Sequence, residues 1–134
     1  MTAIDRVPRG PMLVLAAVLA TAATVTACAS APSRTAPPQV PRGDPRLGAV
    51  DVVHFGCGAC HIIPGIDGAT GLAGPPLIHW SQRGFIAGEI ANNGLNLIHW
   101  IMDPRAIEPN TDMPDLGVSE AQARDIAAYL FTIH

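Results

Sequence analysis

The run Cys57-Gly58-Ala59-Cys60-His61 constrains this chain more than any other feature. Two thiols three residues apart, followed directly by an imidazole, form the attachment pattern for haem c. Two thioether bonds hold such a porphyrin at its vinyl edges, and the adjacent histidine is then an axial ligand of the iron. The sequence therefore predicts that Cys57 and Cys60 bind one haem c covalently and that His61 ligates its iron.

Three other uses of a Cys-x-x-Cys pair remain open at this point. A zinc site usually needs four ligands, and the only other cysteine, Cys28, lies far upstream in an apolar stretch. A thioredoxin-type redox pair sits at the start of a helix in a βαβ unit, and nothing here alternates strands with helices. A disulfide between Cys57 and Cys60 explains neither His61 nor the residues that follow it.

Residues 1–27 have the pattern of an export signal. Two arginines precede an apolar run over residues 12–23, which is short for a membrane span of about 20 apolar residues. The stretch Val25-Thr26-Ala27-Cys28 resembles a bacterial lipobox, and cleavage there would leave Cys28 as a lipid-anchored N-terminus. An ordinary signal peptide and an uncleaved anchor helix are the alternatives. All three predict export to the periplasmic side of a bacterial membrane.

Composition divides the exported part into a tether and a folded domain. Residues 28–43 are rich in Pro and Ala, and their four prolines forbid regular helix, so we expect an extended tether. Residues 44–134 are left for one domain with a modest core, because the chain holds only two Trp, one Tyr and three Phe. A haem would supply the missing apolar mass.

Helix signals mark both ends of this domain. Asp44 is a suitable N-cap for a helix that begins at Pro45 and ends before Gly56. Ser119 and Gln122 form a capping-box pattern, and the apolar residues that follow recur every 3.6 positions.

The middle of the domain carries weaker signals. Residues 96–103 predict a third helix, which Pro104 ends. Residues 62–77 are a loop rich in Gly and Pro, and no stretch is a convincing strand. The predicted fold class is therefore all-α.

A second axial ligand can be sought among the four methionines. Met1 and Met12 lie in the signal, and Met102 lies inside a helical apolar pattern that favours a packing role. Met113 lies in the proline-flanked run Asn110-Thr111-Asp112-Met113-Pro114, where no helix fixes its direction. We expect Met113 to ligate the iron; the alternative is a loop methionine that fills a gap.

With CGACH at 57–61, GPPL at 74–77 and NTDMP at 110–114 in this order, the chain resembles class I c-type cytochromes. It is most similar to small bacterial monohaem domains, found alone or fused to subunit II of haem-copper oxidases. The longer stretches IPGIDGATGLAGPPL, RGFIAGEIANNGLNLIHWIMDP and MPDLGVSEAQARDIAAYL also fit. The resemblance covers residues 44–133 and implies a cytochrome c fold, with three to five helices wrapped around one covalently attached haem.

The resemblance assigns roles to individual residues. Cys57 and Cys60 match the thioether positions, and His61 and Met113 match the proximal and distal ligands of the iron. Pro75 matches a proline whose carbonyl accepts the other ring N–H of the ligand histidine and so orients the ring.

Further positions match haem contacts outside the ligand set. Arg83 and Thr111 match residues on the propionate side, and Trp100 matches an aromatic residue near the porphyrin, with a plain core role as its alternative. The resemblance also implies that the C-terminal helix crosses the first one. The chain departs from the mitochondrial members of the family because it contains no lysine.

The sequence Leu-Ile-His-Trp occurs twice, around His79 and His99, and we take this as coincidence. Both histidines are expected to be surface or partly buried residues. His99 matches a position near the haem, where it could tune the reduction potential with pH.

Iron with two axial ligands leaves no site for a substrate. We therefore expect a one-electron carrier, not an enzyme, with no small-molecule substrate. The resemblance implies a bacterial respiratory chain, with a haem-copper oxidase or a quinol-oxidising complex as partner. The alternatives are a haem-bearing structural subunit of such a complex, and a haem sensor or enzyme with an open sixth site.

Charge limits the kinds of partner. Cleavage after Ala27 removes two of the eight basic and one of the eleven acidic residues, which leaves a net charge of −4. Glu108, Asp112 and Asp115 flank the methionine loop. Because an acidic partner would be repelled there, we expect a largely apolar contact around the haem edge. No basic patch suggests nucleic-acid binding.

Overall fold

The computed structural model of the protein describes residues 35–134, so the predicted signal and Cys28 lie outside the described part. Four helices form within it: α1 (Pro45–His54), α2 (Gly94–Met102), α3 (Pro104–Ile107) and α4 (Glu120–Leu130). Its two short strands are β1 (Phe85–Ile86) and β2 (Ile90–Ala91). The mostly helical content confirms the all-α prediction. No helix among residues 35–134 is both long and apolar enough to cross a membrane.

The predicted caps of α1 and α4 are confirmed. The Asp44 carboxylate accepts the N–H of Arg46 at 2.8 Å, and α1 gives way to Gly56, whose φ of 67° favours glycine. At α4, the side chains of Ser119 and Gln122 cap each other's backbone N–H groups.

The third predicted helix exists with shifted ends. Asn93 accepts the N–H of Asn96 at 3.0 Å, and this cap starts α2 two residues before the predicted position. Pro104 follows the end of α2, as predicted, and also opens the one-turn helix α3, which the sequence did not predict.

The hairpin β1–β2 is also absent from the sequence prediction. Its strands pair antiparallel, with Phe85 opposite Ala91. The connecting turn places Ala87 and Gly88 at φ values of 52° and 80°, a conformation that suits a tight hairpin. Two-residue strands are too short for an alternating pattern, so periodicity could not identify them.

Helix α4 crosses α1 at very close range. A Cβ atom at Gly48 would lie 1.9 Å from the backbone oxygen of Asp125, so only glycine fits there. The N–H of Asp44 donates to the Asp125 carboxylate at 2.7 Å, and Val52 is buried one turn further along α1. The crossing that the resemblance implies is therefore present.

The end of the predicted tether, residues 28–43, packs on the domain. Val40 is 1 % exposed and belongs to the hydrophobic core. A Cβ atom at Gly94 would lie 1.9 Å from the carbonyl oxygen of Gln39, and one at Gly43 would lie 2.6 Å from the Cβ of Ala128. Contacts with α2 and α4 thus hold residues 39–43.

We expect Gly48→Ala to lower the free energy of unfolding by about 1–3 kcal/mol, because the added methyl group forces α1 and α4 apart. Denaturant unfolding of the haem-loaded protein measures the loss. Gly84→Ala is the matched control, since a Cβ there meets no atom within 4 Å. Equal stability of the two variants would contradict the close crossing.

Candidate cofactor site

A largely apolar cavity of about 370 Å³ lies beside the Cys-x-x-Cys-His segment, a size typical of ligand pockets. All of the site residues predicted within the described chain line it: Cys57, Cys60, His61, Pro75, Arg83, Trp100, Thr111 and Met113. Apolar side chains from three helices complete it: Val52, Leu97, Ile101, Ile126 and Leu130. The structure thus brings together predicted site residues that are up to 56 positions apart along the chain.

The two thiols lie around a 3₁₀ turn, Cys57–Ala59, and both are free. Burial raises the pKa of the Cys57 thiol, with a smaller contribution from Cys60. A thioredoxin-type pair instead depends on a depressed thiol pKa, so this environment does not favour that alternative. The zinc alternative gains no support within residues 35–134, where no group of three or more His, Cys, Asp or Glu could hold a metal ion.

The imidazole of His61 is held in one orientation. Its Nδ1 lies 2.7 Å from the carbonyl oxygen of Pro75. A carbonyl only accepts, so Nδ1 carries the proton and Nε2 keeps its lone pair for a metal. Gly74 makes room for the ring, since a Cβ there would lie 2.4 Å from Cε1 of His61.

Glycine residues allow the loop after His61 to lie directly against the segment that carries the two thiols. Gly71 donates its N–H to the carbonyl of Gly58 at 3.0 Å, and Gly74 donates to that of Cys60 at 2.7 Å. A Cβ atom at Gly58 would lie 2.7 Å from the Cβ of Ala69. The residue after the first thiol must therefore be glycine for this loop to close.

Met113 reaches the cavity from a loop without helix. Its N–H donates to the hydroxyl of Thr111 at 3.2 Å, and the N–H of Thr111 donates to the carbonyl of Glu108 at 3.1 Å. These local bonds fix the backbone that carries the half-buried thioether. Thr111 therefore positions Met113, a contact that the sequence did not predict.

Trp80 is a cavity residue that the sequence analysis missed. It is 5 % exposed, and its indole Nε1–H has no hydrogen-bond partner. Arg83 lies over its ring, with the guanidinium carbon 5.1 Å from the centroid. An unpaired buried donor costs about 1–3 kcal/mol, so Trp80 carries an energetic cost at this position. No sequence signal separates Trp80 from Trp100, since each follows Leu-Ile-His.

Asn92 holds the segment that carries Trp80 and Arg83. Its side-chain Nδ2 donates to the carbonyl of Trp80 at 3.0 Å and to that of Arg83 at 3.1 Å. Its backbone N–H donates to Gly84 at 2.9 Å. These partners lie eight to twelve residues away, so no local motif pointed to Asn92.

The structure does not place His99 at this cavity. His99 is exposed and lines a separate hollow with Met102 and Asp103. The expectation that it lies near the haem is therefore not met, because α2 turns Leu97 and Ile101 toward the cavity instead. His79 is exposed, with a φ of 50°, and begins the 3₁₀ turn Trp80–Gln82.

The residues present fit the predicted haem. The thiols, an imidazole with a free Nε2 and a thioether line an apolar cavity. The unpaired Trp80 N–H and the nearby Arg83 cation suit the acidic groups of a porphyrin. The individual ligand roles of Cys57, Cys60, His61 and Met113 stay predictions.

Comparison with known proteins gives two matches. A protein-family model described as "Cytochrome c" matches residues 51–134, more than half of the chain. Cytochrome c oxidase subunit 2 of Alkalihalophilus pseudofirmus is 36% identical over 75 residues, which are 55% of this chain and 21% of that protein. The chain therefore spans about a fifth of that relative. No solved structure gives a significant match.

We expect Asn92→Ala to lower the free energy of unfolding by about 1–3 kcal/mol, because the carbonyl of Arg83 loses its side-chain donor and that of Trp80 keeps only the N–H of Arg83. Denaturant titration of the haem-loaded protein measures this loss. Asn96→Ala is the control: it removes one side-chain bond on the surface, to Ala91, and we expect a smaller loss. Identical unfolding midpoints would show that Asn92 does not hold the segment.

Proposed function

This chain belongs to the cytochrome c family, and we propose that it carries single electrons in a bacterial respiratory chain, to or from a membrane oxidase or dehydrogenase complex. Family membership implies covalently bound haem c and haem-based electron transfer. The proposal that the chain carries single electrons rests on one observation: both thiols, His61 and Met113 line the same cavity.

The protein residues hold and orient the group that carries the electron. When bound, haem c supplies a one-electron iron couple. The bond to Pro75 keeps the lone pair of His61 Nε2 available to hold the iron, and Thr111 fixes the loop that carries the Met113 thioether, which would hold it as well. With both residues holding the iron, no position would be left for a substrate, so the protein would act as a carrier.

The thioether and the apolar lining of the cavity both act on the reduction potential of the bound iron. A thioether ligand favours the reduced state of iron relative to a second nitrogen ligand. The buried side chains of Val52, Leu97 and Ile126 exclude water, and a low-dielectric site disfavours the extra charge of the oxidised state. Both effects raise the reduction potential.

A docking surface of apolar residues is proposed around the cavity. Phe85 and Leu116 line the cavity and are 64% and 39% exposed, and Leu72, next to the lining residue Ala73, is 83% exposed. A redox partner that packs on these side chains needs no lysine ring, which this chain lacks. The oxidase subunit among the matches supports an oxidase as that partner.

We propose further that the chain is exported to the periplasmic side and held there by a lipid on Cys28. This rests on the apolar run and the lipobox-like stretch before residue 29. A fixed haem-bearing subunit is the second candidate function. It is favoured because the match falls within a longer protein named as an oxidase subunit.

The haem-loaded protein is expected to show a low-spin spectrum with a thioether-to-iron band, and its reduced form is expected not to bind carbon monoxide. Met113→Ala should abolish the band, permit carbon monoxide binding and lower the midpoint potential, because the iron loses its thioether. Optical spectroscopy and redox titration measure these changes.

Met102→Ala is the matched control, since Met102 lies at the separate hollow and not at the cavity. It should leave the band and the potential unchanged. Carbon monoxide binding by the unsubstituted protein would instead support the sensor or enzyme alternative.

Electron transfer to oxidase-containing membranes should depend weakly on ionic strength, because the proposed contact is apolar. Stopped-flow rates over a range of salt concentrations test this expectation. Phe85→Ser should slow the reaction, whereas Leu95→Ser, at an exposed position outside the cavity lining, should not. A rate that falls steeply with added salt would contradict the apolar contact.

A further inference from the structure

Helix α1 carries an exposed apolar face that the electron-carrier function does not use. Leu47, Val50 and Val53 are 55%, 64% and 62% exposed. Arg46 and His54, also exposed, lie among them. We call these five residues the outer face of α1. Three aliphatic side chains on one helix stay in contact with water unless something covers them.

The outer face points away from the cavity. Successive residues of a helix are about 100° apart, which puts Val50 roughly 160° around α1 from the buried, cavity-lining Val52. None of the five residues lines the cavity. Asp51 lies at the edge of this face, where it interacts with His54 as well as with Gln122 and Asp125 of α4. A partner on the outer face therefore leaves the cavity uncovered.

The outer face of α1 differs in charge from the domain as a whole. Residues 35–134 contain five arginines and ten acidic residues, a formal net charge of −5. The outer face contains no carboxylate, and Arg42 and Arg46, two of those five arginines, are exposed next to the start of α1. Aliphatic side chains beside arginines suit the boundary between acyl chains and anionic headgroups.

The position of α1 along the chain brings it close to the proposed anchor. Val40 is buried, and α1 begins five residues later at Pro45. Pro37 and Val40 close a hydrogen-bonded turn, and the nine steps from Cys28 to Pro37 would span about 28 Å at 3.1 Å per residue if that segment is extended. The first helix of the domain is therefore held within reach of a membrane that carries the anchor.

We infer that the outer face of α1 rests on the surface of an anionic phospholipid membrane and so sets how the domain sits there. The inference depends on the proposed membrane attachment but not on the identity of the redox partner. A membrane fits the face better than a protein partner because the exposed apolar groups are aliphatic, without the aromatic anchors that protein interfaces favour.

Nitroxide labels at Val50→Cys and, as a matched control, at Leu95→Cys on α2 test this contact. Leu95 is 67% exposed, close to the 64% of Val50. The full-length haem-loaded protein is placed in vesicles of phosphatidylethanolamine and phosphatidylglycerol. Spin relaxation then reports access of oxygen and of a water-soluble nickel chelate, and the unsubstituted protein gives the background from Cys28.

On transfer from detergent to vesicles, the label at position 50 should lose access to the nickel chelate severalfold and gain access to oxygen. The label at position 95 should not change. Vesicles of phosphatidylcholine alone should weaken the effect, because they lack the anionic headgroup.

Four results would overturn the inference. Equal chelate access at both positions in vesicles would show that the outer face stays in water. Spin–spin broadening at position 50 in detergent would assign the face to a second copy of the chain, and protection only in native membranes would assign it to a protein partner. If the protein fails to float with vesicles, both the proposed membrane attachment and the contact of the outer face are refuted. The spectra of the Met113 variant still test the carrier function in that case.

Discussion

The backbone contact between α1 and α4 at Gly48 determines where the cofactor site forms. Because the helices approach so closely, Val52 of α1 and Ile126 and Leu130 of α4 meet in the wall of one cavity. Helix α1 ends at His54, and Gly56 lies directly before the first thiol, so the crossing also positions the attachment segment. Residues outside the helices only have to bring the remaining ligands to a wall that already exists.

Those remaining residues are held mainly by hydrogen bonds to the backbone. Pro75 orients His61, Thr111 fixes the backbone of Met113, and Asn92 holds the turn with Trp80. Loops held in this way keep their direction without a large core of their own. The buried indole N–H of Trp80 has no hydrogen-bond partner within residues 35–134.

Local chemistry made much of this structure predictable from the sequence. The caps at Asp44 and Ser119 and the stop at Gly56 depend on residues within one helical turn of each other. The attachment motif and the methionine loop were recognisable for the same reason, and the resemblance then linked them to Pro75, Arg83 and Trp100. The thiols and histidine of the motif, Met113, and the three residues that the resemblance adds all line the cavity. Their proximity was thus predictable, although the sequence could not give its geometry.

The parts that were missed depend on contacts between distant residues. Val40 lies among prolines that indicate a tether, yet it is buried against the domain. Asn92 and Trp80 are ordinary in sequence, and only folding shows that one holds the other. His99 differs in another way: a match along the sequence gives its position on α2 but not the side of the helix on which it lies, and it lines the separate hollow. The positions of these side chains are decided by contacts between distant parts of the chain, and not by local secondary-structure propensity.

Two of the exposed apolar regions among residues 35–134 lie on different parts of the domain. Phe85 and Leu116 lie at the cavity, whereas the outer face of α1 contains no cavity residue. Under the proposed lipid attachment, the carrier needs little affinity for its partner, because attachment raises the effective concentration of the two proteins at the membrane. A small apolar contact is sufficient under these conditions, and weak binding allows rapid release after electron transfer. The absence of lysine is therefore consistent with a carrier that relies on attachment, and not on long-range electrostatic attraction, to find its partner.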